Sequence, residues 1–211
     1  MNGQIARLQV FVRSRAPHAV RMVYRLLKSL SPVRQSRPMP PELAQNCRFL
    51  SSRHELLEFL PHGGRSAEVG TYKGHFARQI LERTSPRELH LMDLDGSRIE
   101  GDVLADPRVT LHEGLAHETL RAVPADHYSW VYLDADHSYD GTLRDALAAM
   151  DKVEPGGFIV FNDFALIDPW LGRYGVQRAV IDFAVEHRWE FRFVAFHPLG
   201  LYDVALQKPA G

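Results

Sequence analysis

Four short stretches carry the residue types that could do chemistry. Asp134-Ala135-Asp136-His137-Ser138-Tyr139-Asp140 and Asn162-Asp163 supply carboxylates, an amide oxygen and an imidazole. Two carboxylates with an amide oxygen form a hard, oxygen-rich donor set suited to Mg²⁺, Mn²⁺ or Ca²⁺. Such a cation could lower the pKa of a bound hydroxyl. An imidazole such as that of His137 is the side chain best suited to exchange a proton near neutral pH. Asp and Asn also favour loop ends for a plainer reason, because their side chains cap turns and helix starts. On that account Asp140 caps a helix beginning near Thr142, and Asp136 holds a turn.

The third stretch is Glu68-Val69-Gly70-Thr71-Tyr72-Lys73-Gly74. Its glycines let the backbone turn tightly and approach a ligand closely. A helix starting behind them offers unpaired amides to an anionic group. Glu68 can instead help hold a cation or ribose hydroxyls. Asp93 follows 19 residues after Gly74, where a carboxylate can accept hydrogen bonds from both hydroxyls of a ribose. Asp95 competes for that role. Glu113-Gly114 forms the fourth stretch, a small turn against which a base could lie flat.

These residues need a scaffold that brings them to one edge, and the patterning supplies it. From Ser51 onward, strands alternate with helices, the signature of a parallel sheet covered on both faces. Strands are expected at 66–69, 88–94, 109–112, 130–134 and 158–162, the last following a Pro155-Gly156-Gly157 turn. Helices are expected at 53–60, 75–83, 143–150 and 176–187. Two closing strands follow near 190–196 and 202–207. Ser52 and Glu55 read as a capping box for the first helix. All four chemical stretches then fall at the carboxyl ends of strands, where open α/β sheets bind ligands.

Composition sets outer bounds. The chain has 211 residues, 45% of them hydrophobic, enough for one α/β domain with a modest extension. Its net charge of −1 gives no signature of a nucleic-acid binder. A single cysteine, Cys47, excludes an intrachain disulfide framework and a cysteine-based zinc site. That count fits a reducing, cytoplasmic setting.

The charge is uneven: residues 1–41 hold seven Arg, one Lys and no acidic residue. Within them, Val20, Val23, Leu27 and Leu30 recur at helical spacing over 17–30, and Pro38, Pro40 and Pro41 read as an extended linker. This helix is expected to pack on its own domain or on a second subunit, giving a homodimer. An anionic membrane surface and an organellar transit peptide are the alternatives. No apolar run is long enough to span a bilayer. The domains are therefore set at 1–45, a basic helical extension and linker, and 46–211, the ligand-binding domain.

The motifs together resemble a known family. EVGTYKG resembles the first motif of class I S-adenosylmethionine (SAM) dependent methyltransferases, an acidic-x-Gly-x-x-x-Gly pattern distinct from the G-x-G-x-x-G of dinucleotide enzymes. The likeness continues through Asp93, YLDADHSYDG and VEPGGFIVFNDF to an antiparallel pair at the end, covering about residues 51–208. It implies a Rossmann-like, doubly wound α/β sheet, mostly parallel with an antiparallel last strand. It also implies that Glu68, Gly70 and Gly74 line the methionine part of SAM, with Thr71, Tyr72 and Asp134 among the cofactor contacts. Asp93 would hold the ribose, and Gly114 with Leu115 would border the adenine.

The loops after the fourth and fifth strands are similar to those of metal-dependent small-molecule and sugar O-methyltransferases (family 24-like). That likeness gives Asp134, Asn162 and Asp163 as ligands for Mg²⁺ or another divalent cation, Asp134 and His137 as catalytic residues, and a small molecule or glycan as acceptor. Several relatives place an acidic residue where this chain has Asn162. Residues 165–175, with Trp170, Arg173 and Tyr174, could form part of the acceptor pocket. Two other functions compete: a non-catalytic module that assembles with a partner enzyme, and a nicotinamide oxidoreductase. The second is disfavoured by the missing third glycine and by Glu68 ahead of the loop.

Overall fold

The computed structural model describes residues 17–20, 22–23, 26, 35–168 and 172–210. In the extension, residues 18–20, 22–23 and 26 are helical, and Val20, Met22, Val23 and Leu26 are exposed. The rest of the expected 17–30 helix lies outside the described residues, as does Trp170. No helix among the described residues is long and apolar enough to cross a membrane.

Eight strands form one sheet: β1 (Arg48–Leu50), β2 (Arg65–Val69), β3 (Glu88–Asp93), β4 (Val109–Glu113), β5 (Tyr128–Leu133), β6 (Val153–Phe161), β9 (Glu190–Phe196) and β10 (Tyr202–Gln207). A separate two-strand pair, β7 (Ile167–Asp168) and β8 (Gly172–Arg173), lies in the loop after β6. The order in the large sheet is β1-β9-β10-β6-β5-β2-β3-β4. Every neighbouring pair is parallel except those of β10, which runs antiparallel to β6 and β9. This is a Rossmann-like α/β sheet. The chain winds outward from β2 to β3 and β4, then returns to place β5 on the other side of β2. The sheet therefore reverses direction between β2 and β5, which opens a crevice at their carboxyl ends.

Helices cover both faces. On one lie α1 (Arg53–Phe59), α2 (His75–Thr84) and α3 (Gly101–Leu104); their Leu56, Leu57, Ile80 and Val103 pack on Leu89, Leu91, Tyr132 and Val160. On the other lie α4 (Ala116–Arg121), α5 (Tyr139–Ala149) and α6 (Val176–His187), whose Leu120, Ala146, Val180 and Phe183 meet Ala67, Val131, Ile159 and Val204. All six residues of β5 are buried, as expected of a parallel strand covered on both sides.

Several expectations need adjusting. Ser52 caps α1 by accepting the Glu55 N–H, but the Glu55 carboxylate turns back to Ser51, not Ser52. The 143–150 helix begins four residues earlier, at Tyr139. Its cap is Ser138, whose Oγ accepts the Gly141 N–H, while Asp140 stands inside the first turn. Asp136 holds a turn as expected, accepting the Ser138 N–H. Pro155-Gly156-Gly157 does not precede the fifth major strand but lies within β6. There the register against β5 shifts, and a Cβ on Gly157 would stand 2.5 Å from the Ser129 carbonyl oxygen.

Candidate active site

The crevice at the reversal point is a cleft of about 260 Å³. Seven of the singled-out residues line it: Gly70, Tyr72, Asp93, Gly114, Leu115, Asp134 and His137. Glu68, Thr71, Gly74, Asn162 and Asp163 are not among its lining residues.

The first loop is held against the next strands by its own backbone. Gly70 donates its N–H to the Met92 carbonyl, and Asp134 donates to Val69. The φ of Gly70 is +94°, and a side chain there would run into Asp134. Gly74 (φ +84°) lies at the amino end of α2, where a Cβ would press on Ile99 and Val103. Asp93 is one of the lining residues. Its two carboxylate oxygens accept the Tyr72 N–H (2.8 Å) and the Asp95 N–H (3.0 Å). An ionised carboxylate has about four acceptor sites, so it retains capacity for a ligand's hydroxyls. Glu113 is tied back to the Gly96 N–H, which settles the turn at Gly114.

Glu68 is buried below this loop, and its Oε2 has no hydrogen-bond partner. Burial, with the negative charge of Asp134, pushes its carboxyl well above the usual range.

Three oxygens converge on one atom. His137 Nε2 lies 3.3 Å from Asn162 Oδ1, 3.5 Å from Asp134 Oδ1 and 3.6 Å from Asp163 Oδ2. The imidazole is 6% exposed and stacks on Tyr174 at 4.7 Å. Asn162 is oriented from below, because its Nδ2 donates to Asp203 Oδ1 (3.1 Å) and the Tyr132 hydroxyl (3.2 Å). An aspartate at 162 could donate neither bond and would set a further carboxylate against the buried Asp203. The amide is thus what this floor requires.

Four polar residues of the cleft wall were absent from the sequence-based set: Arg98, His117, Arg144 and Asp145. His117 Nδ1 lies 3.8 Å from Asp145 Oδ1. Burial raises the Asp145 carboxyl to about 7. The signal was present: Thr142, Asp145, Ala146 and Ala149 are the buried stripe of α5, so an acid occupies a core position at helical spacing. The folded protein holds this proton where the unfolded chain, near pKa 3.9, has lost it. Stability should therefore fall as pH rises from about 4 to 7 and level off above. Asp145→Asn is expected to gain about 2–4 kcal/mol at pH near 8 and little near 4, in urea unfolding at both values. An unchanged pH dependence in the variant would sink this assignment.

Residues 67–164 match the family model of a methyltransferase domain. No curated relative matches the sequence. Among solved structures, a SAM dependent methyltransferase from Aquifex aeolicus is 12% identical, with 75% of this chain and 90% of that one covered and a TM-score of 0.59. Spermidine synthase from Thermotoga maritima is 16% identical, covering 76% and 60%, with a TM-score of 0.57. An O-methyltransferase family protein from Burkholderia thailandensis is 15% identical, covering 75% and 56%, with a TM-score of 0.55. The chain thus spans little more than half the length of some structures it matches. Residues 67–164 thus resemble a methyltransferase domain, and the chain shares the fold of solved SAM-dependent methyltransferases. A spermidine synthase on the same scaffold means that the fold alone does not fix the reaction.

Proposed function

We propose that this chain transfers the methyl group of SAM to an oxygen of a small-molecule or sugar acceptor. The supporting observation is that Asp93, Asp134 and His137 line one cleft, with Asn162 and Asp163 within 3.6 Å of the His137 Nε2. SAM supplies an already activated methyl on a sulfonium. The protein must then align a nucleophile with it, keep water out and take up a proton. Asp93 accepts the ribose hydroxyls, and Gly114 with Leu115 borders the base. The unpartnered Glu68 Oε2 fits a cofactor bearing an ammonium group, which would favour the ionised carboxylate. His137 Nε2 takes the acceptor's proton, and the neighbouring carboxylates stabilise the resulting imidazolium.

Asp134, Asn162 and Asp163 would be the residues to hold a divalent cation, with Asn162 Oδ1 turned towards His137 by the two bonds of its Nδ2. When bound, the ion would polarise an acceptor hydroxyl.

Calorimetric titration with S-adenosylhomocysteine tests the cofactor assignment. Micromolar binding is expected, weakened about 100-fold by Asp93→Ala through loss of the charged hydrogen bonds. Binding of NADH instead would move the chain to the oxidoreductases. Failure of the intact protein to bind S-adenosylhomocysteine would leave the assembly module as the better account.

A further inference from the structure

A second group of chemistry-bearing side chains lies at the opposite end of the sheet. Glu88 and His90, two positions apart on β3, project to one face, and His127 immediately precedes β5. One donor atom from each lies within 4.8 Å of the other two. β2 runs between these strands, and its residue in register with His90 is Ala67, small enough for larger side chains to meet above it. His112 of β4 packs on His90 at 4.7 Å, so three imidazoles and a carboxylate share the patch.

Hydrogen bonding within the patch leaves two of its nitrogens over. His127 Nε2 and His112 Nε2 are buried and have no hydrogen-bond partner. Each such orphan costs about 1–3 kcal/mol, which ordinary packing does not return. Glu88 accepts from Arg65 Nε through Oε2 (2.9 Å), which leaves Oε1 directed at His90 Nε2 (2.7 Å). The other nitrogen of His90 lies 2.6 Å from the Tyr128 hydroxyl, the kind of outer partner that orients a ligating imidazole.

We propose that Glu88, His90 and His127, flanked by His112, bind a divalent transition metal of zinc's class, at a site separate from the cofactor cleft. Two imidazoles and one carboxylate favour Zn²⁺ over Mg²⁺ or Ca²⁺, which prefer oxygen alone. On binding, the His90–Glu88 contact is exchanged for bonds to the metal, and His90 donates Nδ1–H to the Tyr128 oxygen. The ion then ties the start of β3 to the start of β5 across β2.

The test uses the full chain, stripped with EDTA and titrated with Zn²⁺ alone, then with Co²⁺, whose visible absorption reports its ligands. Stoichiometric Zn²⁺ binding is expected in the wild type and in Asp163→Asn, which alters only the cleft group. His127→Asn and Glu88→Gln should each weaken it by about 100-fold or more, with S-adenosylhomocysteine binding unchanged. Zn²⁺ should also raise the melting temperature of the wild type but not of His127→Asn. Absence of saturable Zn²⁺ binding would overturn the proposal. So would binding that survives His127→Asn and Glu88→Gln yet disappears in Asp163→Asn.

Discussion

Gly70→Ala is expected to destabilise the protein by about 3–5 kcal/mol and to abolish S-adenosylhomocysteine binding in whatever fraction stays folded. Two independent costs act at this position. Its φ of +94° is a conformation that a side chain resists. An added Cβ would overlap the Asp134 carbonyl oxygen, lie 2.5 Å from its carbon and stand 2.9 Å from the Ala135 Cα. All three atoms are backbone, so no rotamer change relieves the clash. Relief requires the loop after β2 to lift from the loop after β5. That movement would break the Gly70–Met92 and Asp134–Val69 hydrogen bonds that close the cleft floor. For a chain of this size, the melting temperature should drop by about 10 °C or more. Gly63→Ala, also at positive φ but with open space around its Cβ, serves as the control for backbone strain alone. If both variants melted alike, the close approach of the two loops would not be what demands glycine at 70.

The sequence made the frame of this site legible where local pattern and tertiary role agree. α6, β9 and β10 have the bounds that the sequence indicated: α6 and β9 each show one apolar stripe or face, and β10 is a short run buried on both faces. β1 was missed: three residues carry no period, and only pairing with the distant β9 makes them a strand. α3 and α4, four and six residues long, are likewise too short to show a stripe. Pro155-Gly156-Gly157 has turn chemistry, yet pairing on both sides carries the strand through it. The loop residues of the cleft were found because glycines, Asp93 and the Asp-rich segment depart from what packing alone would choose. Arg144 was not found, since on a helix it looks like an ordinary surface charge, and Asp145 was missed although it stands on the buried stripe of α5. Asp163, with φ +56°, is a departure that sequence does not display.

His137→Asn is expected to lower turnover by about 10²–10⁴-fold while leaving S-adenosylhomocysteine affinity within a few-fold of wild type. The separation follows from where the imidazole stands. It lines the cleft but is not among the groups assigned to the ribose or base, so its loss removes none of them. Its Nε2 is the one atom on which Asp134, Asn162 and Asp163 converge, so a proton taken up there is met by carboxylate charge. Stacking on Tyr174 and the Gly175 N–H donated to the His137 carbonyl (2.8 Å) fix the ring, which makes a shorter amide a poor substitute. With any acceptor the wild type turns over, log kcat for a base at this position should rise with pH to a plateau, and the variant should lose that limb. A metal-led reaction behaves differently. EDTA would then silence the wild type, and Asp163→Asn would cost more than His137→Asn. If His137→Asn instead kept full turnover without added metal, the imidazole would be a strut for Tyr174 and Asn162, and the proton would have to leave by another route.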